Sequence, residues 1–110
     1  MKPVPVAYVR AESAEQALAL LAEHGDEAKL LAGGQSLMPL LNMRFARPAL
    51  LIDVNSMRGA DDILVSNERI RVGALVRQAA FGASPLVREH LPLAAACVSH
   101  IGHFVTRNRG

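Results

Sequence analysis

Apolar residues along this chain fall first into a short extended block and then into a helical rhythm. Residues 4–9 read as an opening strand, with Pro3 and Pro5 blunting its start. Ser13 offers a helix cap, and Gln16 three positions on completes a capping-box pattern. Ala14, Ala17, Leu18, Leu21 and Ala22 follow at helical spacing, and Gly25 supplies the stop. That leucine stripe is predicted to face inward. A second strand is predicted over 28–32. Leu37, Leu40, Leu41 and Met43 then suggest a short helix with Pro39 in its first turn. Residues 49–54 form a third strand, apolar up to Asp53, as expected of one buried on both faces. The order β-α-β-α-β predicts a small, mostly parallel sheet.

The pattern changes after Asn55. Ile63 and Val65 alternate with other residues, Ser66-Asn67-Glu68 turns the chain, and Ile70 and Val72 alternate again, which predicts a hairpin. Helices are expected over 76–81 and 92–100, the second with Pro92 in its opening turn and Gly102 beyond its end. His100 and His103, three apart, are compatible with one helix face, but no further metal ligand is spaced nearby. The chain therefore reads as α/β passing into α+β: a small lobe over 1–56, and over 57–110 the beginning of a second.

Composition narrows the function. Hydrophobic residues make up 51% of the 110 positions and charged residues 20%, enough for a packed core, built from aliphatic side chains because Trp is absent. The net charge of +2 comes with ten Arg and two Lys scattered along the chain, in short pairs such as Arg44/Arg47 and Arg107/Arg109. Without interleaved aromatics or a basic face, this gives nucleic-acid binding little support. The single cysteine, Cys97, excludes an internal disulfide or a four-thiolate cluster, and its alanine-rich setting predicts a buried thiol. No apolar run is long enough for membrane insertion, and a cytoplasmic protein is expected.

The candidate chemistry sits in Ala32-Gly33-Gly34-Gln35-Ser36-Leu37, between the second strand and the helix after it. Paired glycines permit positive φ and leave no Cβ in a ligand's way. A helix start adds unpaired N–H groups, so phosphate or the pyrophosphate of a dinucleotide is the natural guest. The spacing is neither that of the P-loop nor that of a Rossmann turn. A tight connection with no ligand is the bland alternative.

Several segments together resemble one family. The run 29–39, Lys-Leu-Leu-Ala-Gly-Gly-Gln-Ser-Leu-Met-Pro, resembles the first flavin loop of the FAD-binding subunit of molybdenum hydroxylases, which include the medium chain of carbon monoxide dehydrogenase and the flavin domain of xanthine dehydrogenase. Leu51-Ile52-Asp53-Val54-Asn55, Arg71-Val72-Gly73-Ala74-Leu75, and Ile101-Gly102-His103 with Arg107-Asn108-Arg109-Gly110 resemble the same family, in the same order. Val76 departs from it, since relatives often carry Thr there. By this resemblance the 110 residues correspond to about the first two-fifths of a subunit. A second flavin loop lies beyond them, and the 110 residues alone are expected to hold FAD poorly and to be inactive.

The resemblance implies the two-lobed FAD-binding fold of the vanillyl-alcohol-oxidase and molybdopterin-dehydrogenase type. It also implies FAD as cofactor, in a hetero-oligomer with a molybdopterin-binding large subunit and a small iron–sulfur subunit. Electrons would pass from the iron–sulfur centres to FAD and on to an external acceptor. It places flavin contacts at Leu30, Leu31, Ala32, Gly33, Gly34, Gln35, Ser36 and Leu37, chiefly through the backbone N–H groups of residues 33–36, with a hydroxyl contribution from Ser36. Leu75 and Ile101 pack either near the flavin or into the core. His103 and Arg107 either brace the second loop or lie at the surface, and Asp53 reads as a strand-end residue paired locally. No catalytic side chain or metal ligand is assigned. Two other readings stay open: a truncated or stand-alone α/β module that binds no flavin and acts only in protein interaction, and a small phosphate-binding protein that uses the glycine loop alone.

Overall fold

The computed structural model describes residues 1–110, which divide into two compact units, Met1–Arg58 and Gly59–Gly110. In the first unit the order is β1 (Ala7–Arg10), α1 (Ala14–His24), β2 (Ala28–Leu31), α2 (Leu37–Asn42) and β3 (Leu50–Asp53), with a 3-10 turn over Gly25–Glu27. The strands form one wholly parallel sheet in the order β1-β3-β2. Strand β3 is central, so both faces of Leu50, Leu51 and Ile52 are covered. Ala11, Ala17, Ala28, Leu41 and Val54 complete this unit's buried core.

Strand β1 begins at Ala7 rather than at residue 4. Pro3 and Pro5 have no N–H to give a ladder, and the first bond to the sheet is Ala7 N–H to the Ala49 carbonyl at 2.9 Å. The cap of α1 forms as its pattern predicts: Ser13 Oγ accepts from the Gln16 N–H at 3.1 Å. The return bond of the capping box is shifted by one residue, because Gln16 Oε1 accepts from the Glu12 N–H at 2.9 Å. The inward face of α1 is Ala17, Leu20, Leu21 and His24, all buried or half-buried. Leu18 does not belong to it. One residue beyond Ala17 it is rotated about 100° away, and it is 65% exposed.

At the carboxyl end of the sheet, Asp53 pairs locally with Asn55, as expected, and also across the sheet with Tyr8, 45 residues earlier. It accepts the Tyr8 hydroxyl from β1 on one oxygen and, on the other, the Asn55 N–H at 2.8 Å and the Asn55 side-chain amide at 2.6 Å. Partial burial pushes its pKa upward, but the bonds from Tyr8 and Asn55 and the charge of Arg10 outweigh that and hold it below the ordinary carboxylate value.

In the second unit, β4 (Ile63–Ser66) and β5 (Arg69–Val72) form the antiparallel hairpin. Ser66 pairs with Arg69, so the turn is the two residues Asn67 and Glu68, both at positive φ (46° and 60°) as a type I′ turn requires. Four helices follow: α3 (Gln78–Ala83), α4 (Pro85–His90), α5 (Pro92–Val98) and α6 (Phe104–Arg109). Helix α3 packs against the other three and lies close against α5, where a Cβ on Gly82 would come within 2.7 Å of Val98 Cγ1. Val87 and Val98 are buried here.

Helix α3 starts two residues later than its pattern predicts, because Val76 is held in a turn to the Gly73 carbonyl and Arg77 is extended. Helix α5 stops at Val98, and the Ser99 hydroxyl donates to the Ala96 carbonyl at 2.6 Å. Cys97 is exposed, contrary to the expectation of a buried thiol. The half-buried Ala94 and Ala95 and the buried Val98 form the inner face of α5, which leaves Cys97 beside Leu93 on the outer one. His100 and His103 do not share a helix: the His100 N–H closes the turn after α5 onto the Cys97 carbonyl, and His103 is the N-cap of α6.

Two predictions follow from these contacts. Ser13→Ala lowers unfolding free energy by about 1 kcal/mol, whereas Leu18→Ser changes it by under about 0.5 kcal/mol, both read by chemical denaturation. Asp53 has a folded pKa below its unfolded value of about 3.9, so its stabilisation is complete above that value and is lost as pH falls through the folded one. Asp53→Asn therefore flattens this part of the acid limb of stability against pH; an unchanged limb would exclude the role.

Candidate functional site

The residues predicted to meet a cofactor in the first unit are brought together by one connection. Leu30 and Leu31 end β2, Ala32 to Gln35 form the loop, Ser36 is the N-cap of α2, and Leu37 is its first helical residue. Gly34 carries φ +72°, and a Cβ there would meet Met38 Cγ at 3.1 Å and Leu31 Cδ1 at 3.3 Å. Glycine is needed for the conformation and for the close apolar floor beneath it. Ser36 makes no capping bond with its side chain, so its hydroxyl is not committed to the helix.

Polarity separates along this loop except at Gln35, whose carbonyl takes no bond because Pro39, four residues on, has no N–H. The other carbonyls are used internally: Leu31 accepts from the Val54 N–H at 3.1 Å and from Asn55 Nδ2 at 3.3 Å, and Ala32 accepts from Asn55 Nδ2 at 3.0 Å. Gly33 accepts from Gln35 Nε2 at 3.1 Å, Gly34 from the Met38 N–H at 2.9 Å, and Ser36 from the Leu40 N–H at 3.4 Å. None of the bonds in the structure takes the N–H of Gly33, Gly34, Gln35 or Ser36 to a protein acceptor. Successive backbone donors without partners form the kind of concavity that holds an anion. Helix α2, only six residues long, adds little to this.

Leu75 and Ile101 belong to the second unit, on separate segments. Leu75 is half-buried between β5 and α3, its N–H bonded to the Ala60 carbonyl at 2.8 Å, and Ile101 is 45% exposed in the turn between α5 and α6. Arg107 is turned back onto its own turn, donating to the carbonyls of Ile101 at 2.9 Å and Gly102 at 3.0 Å. The part of Asn55 at the glycine loop is invisible to a local reading, because its amide reaches back 23 and 24 residues. The available signal is its position, two residues past the central strand at the carboxyl end of a parallel sheet, where ligand sites concentrate.

Residues 4–110 match the family model described as the FAD binding domain in molybdopterin dehydrogenase. Over all 110 residues the chain is 47% identical to the 6-hydroxypseudooxynicotine dehydrogenase complex subunit alpha of Paenarthrobacter nicotinovorans, covering 37% of that protein. It is 38% identical to the carbon monoxide dehydrogenase medium chain of Hydrogenophaga pseudoflava, again over its whole length and 38% of the relative. The fold matches the structure of carbon monoxide dehydrogenase from Hydrogenophaga pseudoflava lacking the Mo-pyranopterin moiety, with a TM-score of 0.98 at 38% identity, covering all of this chain and 38% of that one. Quinoline 2-oxidoreductase from Pseudomonas putida 86 matches with a TM-score of 0.96 at 32% identity and the same coverage. The chain thus spans less than two-fifths of the length of these relatives. With the family model matched over residues 4–110 and a mixed α/β fold shared with these structures, the chain belongs to the family of FAD-binding domains of molybdopterin dehydrogenases.

Proposed function

We propose that this chain is the FAD-holding part of the flavoprotein subunit of a molybdenum-containing hydroxylase, and that the loop over 32–37 grips the cofactor's diphosphate. The observation that carries this reading is the set of four backbone N–H groups, at Gly33, Gly34, Gln35 and Ser36, without acceptors inside the protein. Phosphate oxygens accept such bonds strongly, because a charged acceptor makes each one shorter and stronger than a neutral one does. When bound, FAD supplies the redox chemistry that takes electrons from iron–sulfur centres of a partner subunit to an external acceptor.

The chain's own residues bind and orient. Gly34, where a Cβ would press on Leu31 and Met38, lets the backbone take its positive φ close over that apolar floor. Ser36 offers a hydroxyl beside its N–H, and Leu30, Leu31 and Leu37 give the loop apolar flanks. Leu75 and Ile101 are proposed as apolar flavin contacts on the family resemblance. The first unit, corresponding to the lobe over 1–56, carries the diphosphate grip, and the residues after it open the larger lobe. A molybdopterin-binding large subunit and a small iron–sulfur subunit are the partners this reading implies. The one thiol here, Cys97, cannot ligate a cluster of the four-thiolate kind. No helix is long and apolar enough to cross a membrane.

The test is flavin content of the purified intact protein that carries this chain. Gly34→Asp forces a side chain against Leu31 and Met38 at a positive φ and adds a negative charge to the loop, and is expected to abolish FAD retention. Gly34→Ala meets the same backbone strain, about 1–2 kcal/mol, without the charge, and is expected to retain more flavin than the Asp variant. Normal flavin content in Gly34→Asp would refute the assignment.

A further inference from the structure

We infer that Asn55 is a positioning residue for the cofactor: through the Ala32 carbonyl it aims the first amide of the glycine loop outward. This rests on the reading of the loop as the diphosphate site. The peptide unit is planar, and every one in this chain is trans. In a trans unit the C=O and the next residue's N–H point in opposite directions. Whatever seizes the carbonyl of one residue therefore sets the direction of the following amide. Asn55 Nδ2 holds the Ala32 carbonyl at 3.0 Å, which turns the Gly33 N–H away from the sheet end. Gln35 Nε2 repeats the device one unit on: it holds the Gly33 carbonyl at 3.1 Å and so directs the Gly34 N–H. The Met38 N–H holds the Gly34 carbonyl at 2.9 Å and directs the N–H of Gln35.

Of these three holds, only that of Asn55 comes from outside the loop and its helix. It is itself locked. Asp53 accepts both the backbone N–H of Asn55, at 2.8 Å, and its side-chain amide, at 2.6 Å, and the Tyr8 hydroxyl donates to the other oxygen of Asp53. The carboxylate thus presents the amide of Asn55 with its donors toward β2, and the sheet passes its rigidity to the loop. Preorganised donors bind an anion without the cost of turning peptide units on arrival.

The role separates from plain structural support by the part of the ligand that it touches. The intact protein is freed of flavin, and FAD and riboflavin, which has the ring but no phosphate, are titrated by fluorescence quenching. Asn55→Ala and the isosteric Asn55→Asp, which keeps the volume but removes the donors, are expected to weaken FAD binding by about tenfold or more and to leave riboflavin within about twofold. Gln35→Ala, which trims an exposed side chain, is expected to show the same split. Unchanged FAD affinity in the Asn55 variants overturns the inference, as does an equal loss for both ligands. A parent protein that does not prefer FAD to riboflavin would refute the loop assignment itself, a result distinguishable from failure of the Asn55 role alone.

Discussion

The planarity of the peptide unit is the constraint on which the glycine loop depends. A carbonyl and the amide that follows it cannot be oriented independently. By giving the carbonyls of Leu31, Ala32, Gly33 and Gly34 internal donors, two of them from the side chains of Asn55 and Gln35, the fold leaves the neighbouring amides facing outward. No lysine or arginine lies in the loop, so what the loop itself offers an anion is its backbone dipoles. Apart from the amides of Asn55 and Gln35, a site of this kind depends on its backbone more than on its side chains, and Gly34 at φ +72° above Leu31 and Met38 is where that dependence concentrates.

The parallel sheet provides the frame. Because β3 lies between β1 and β2, the carboxyl ends of all three strands meet at one edge, and Arg10, Asp53 and Leu31 stand in register across it. Tyr8 from the first strand, Asp53 and Asn55 from the third, and the last carbonyls of the second are tied there into one hydrogen-bonded chain. Asp53 keeps its charge because its donors outweigh the cost of partial burial. A polar network earns its place in a small domain when each member is satisfied, and here Asp53 receives three donors.

Much of this was legible from residue order. The β-α-β-α-β succession followed from the switch between apolar blocks and helical spacing, and the Ser13 cap and the Asn67-Glu68 turn announced themselves locally. Where residue order and structure differ, a tertiary contact decides. Leu18 and Cys97 sit in apolar surroundings along the chain yet fall on outward helix faces, and which face turns inward is set by neighbours rather than by composition. Helices α4 and α6 carried no strong apolar period; α4 is marked instead by Ser84, whose Oγ takes the Val87 N–H at 3.4 Å, and by Pro85 in its first turn. The glycine loop can be located by its composition, but the direction of its first amide cannot, since the Ala32 carbonyl before it is held by Asn55, 23 residues on.

The placement of β3 between its two predecessors also bears on how the first unit assembles. Strands β1 and β2 share no hydrogen bond, so neither has a sheet partner until residues 50–53 arrive to join them. Contacts between Ala7 and Leu50 close a long stretch of chain, a step that raises the entropic barrier and slows folding. Asn55 follows that keystone strand by two residues, so its amide reaches Ala32 in the same late event. During synthesis the glycine loop therefore emerges early but acquires its orientation only when the sheet closes.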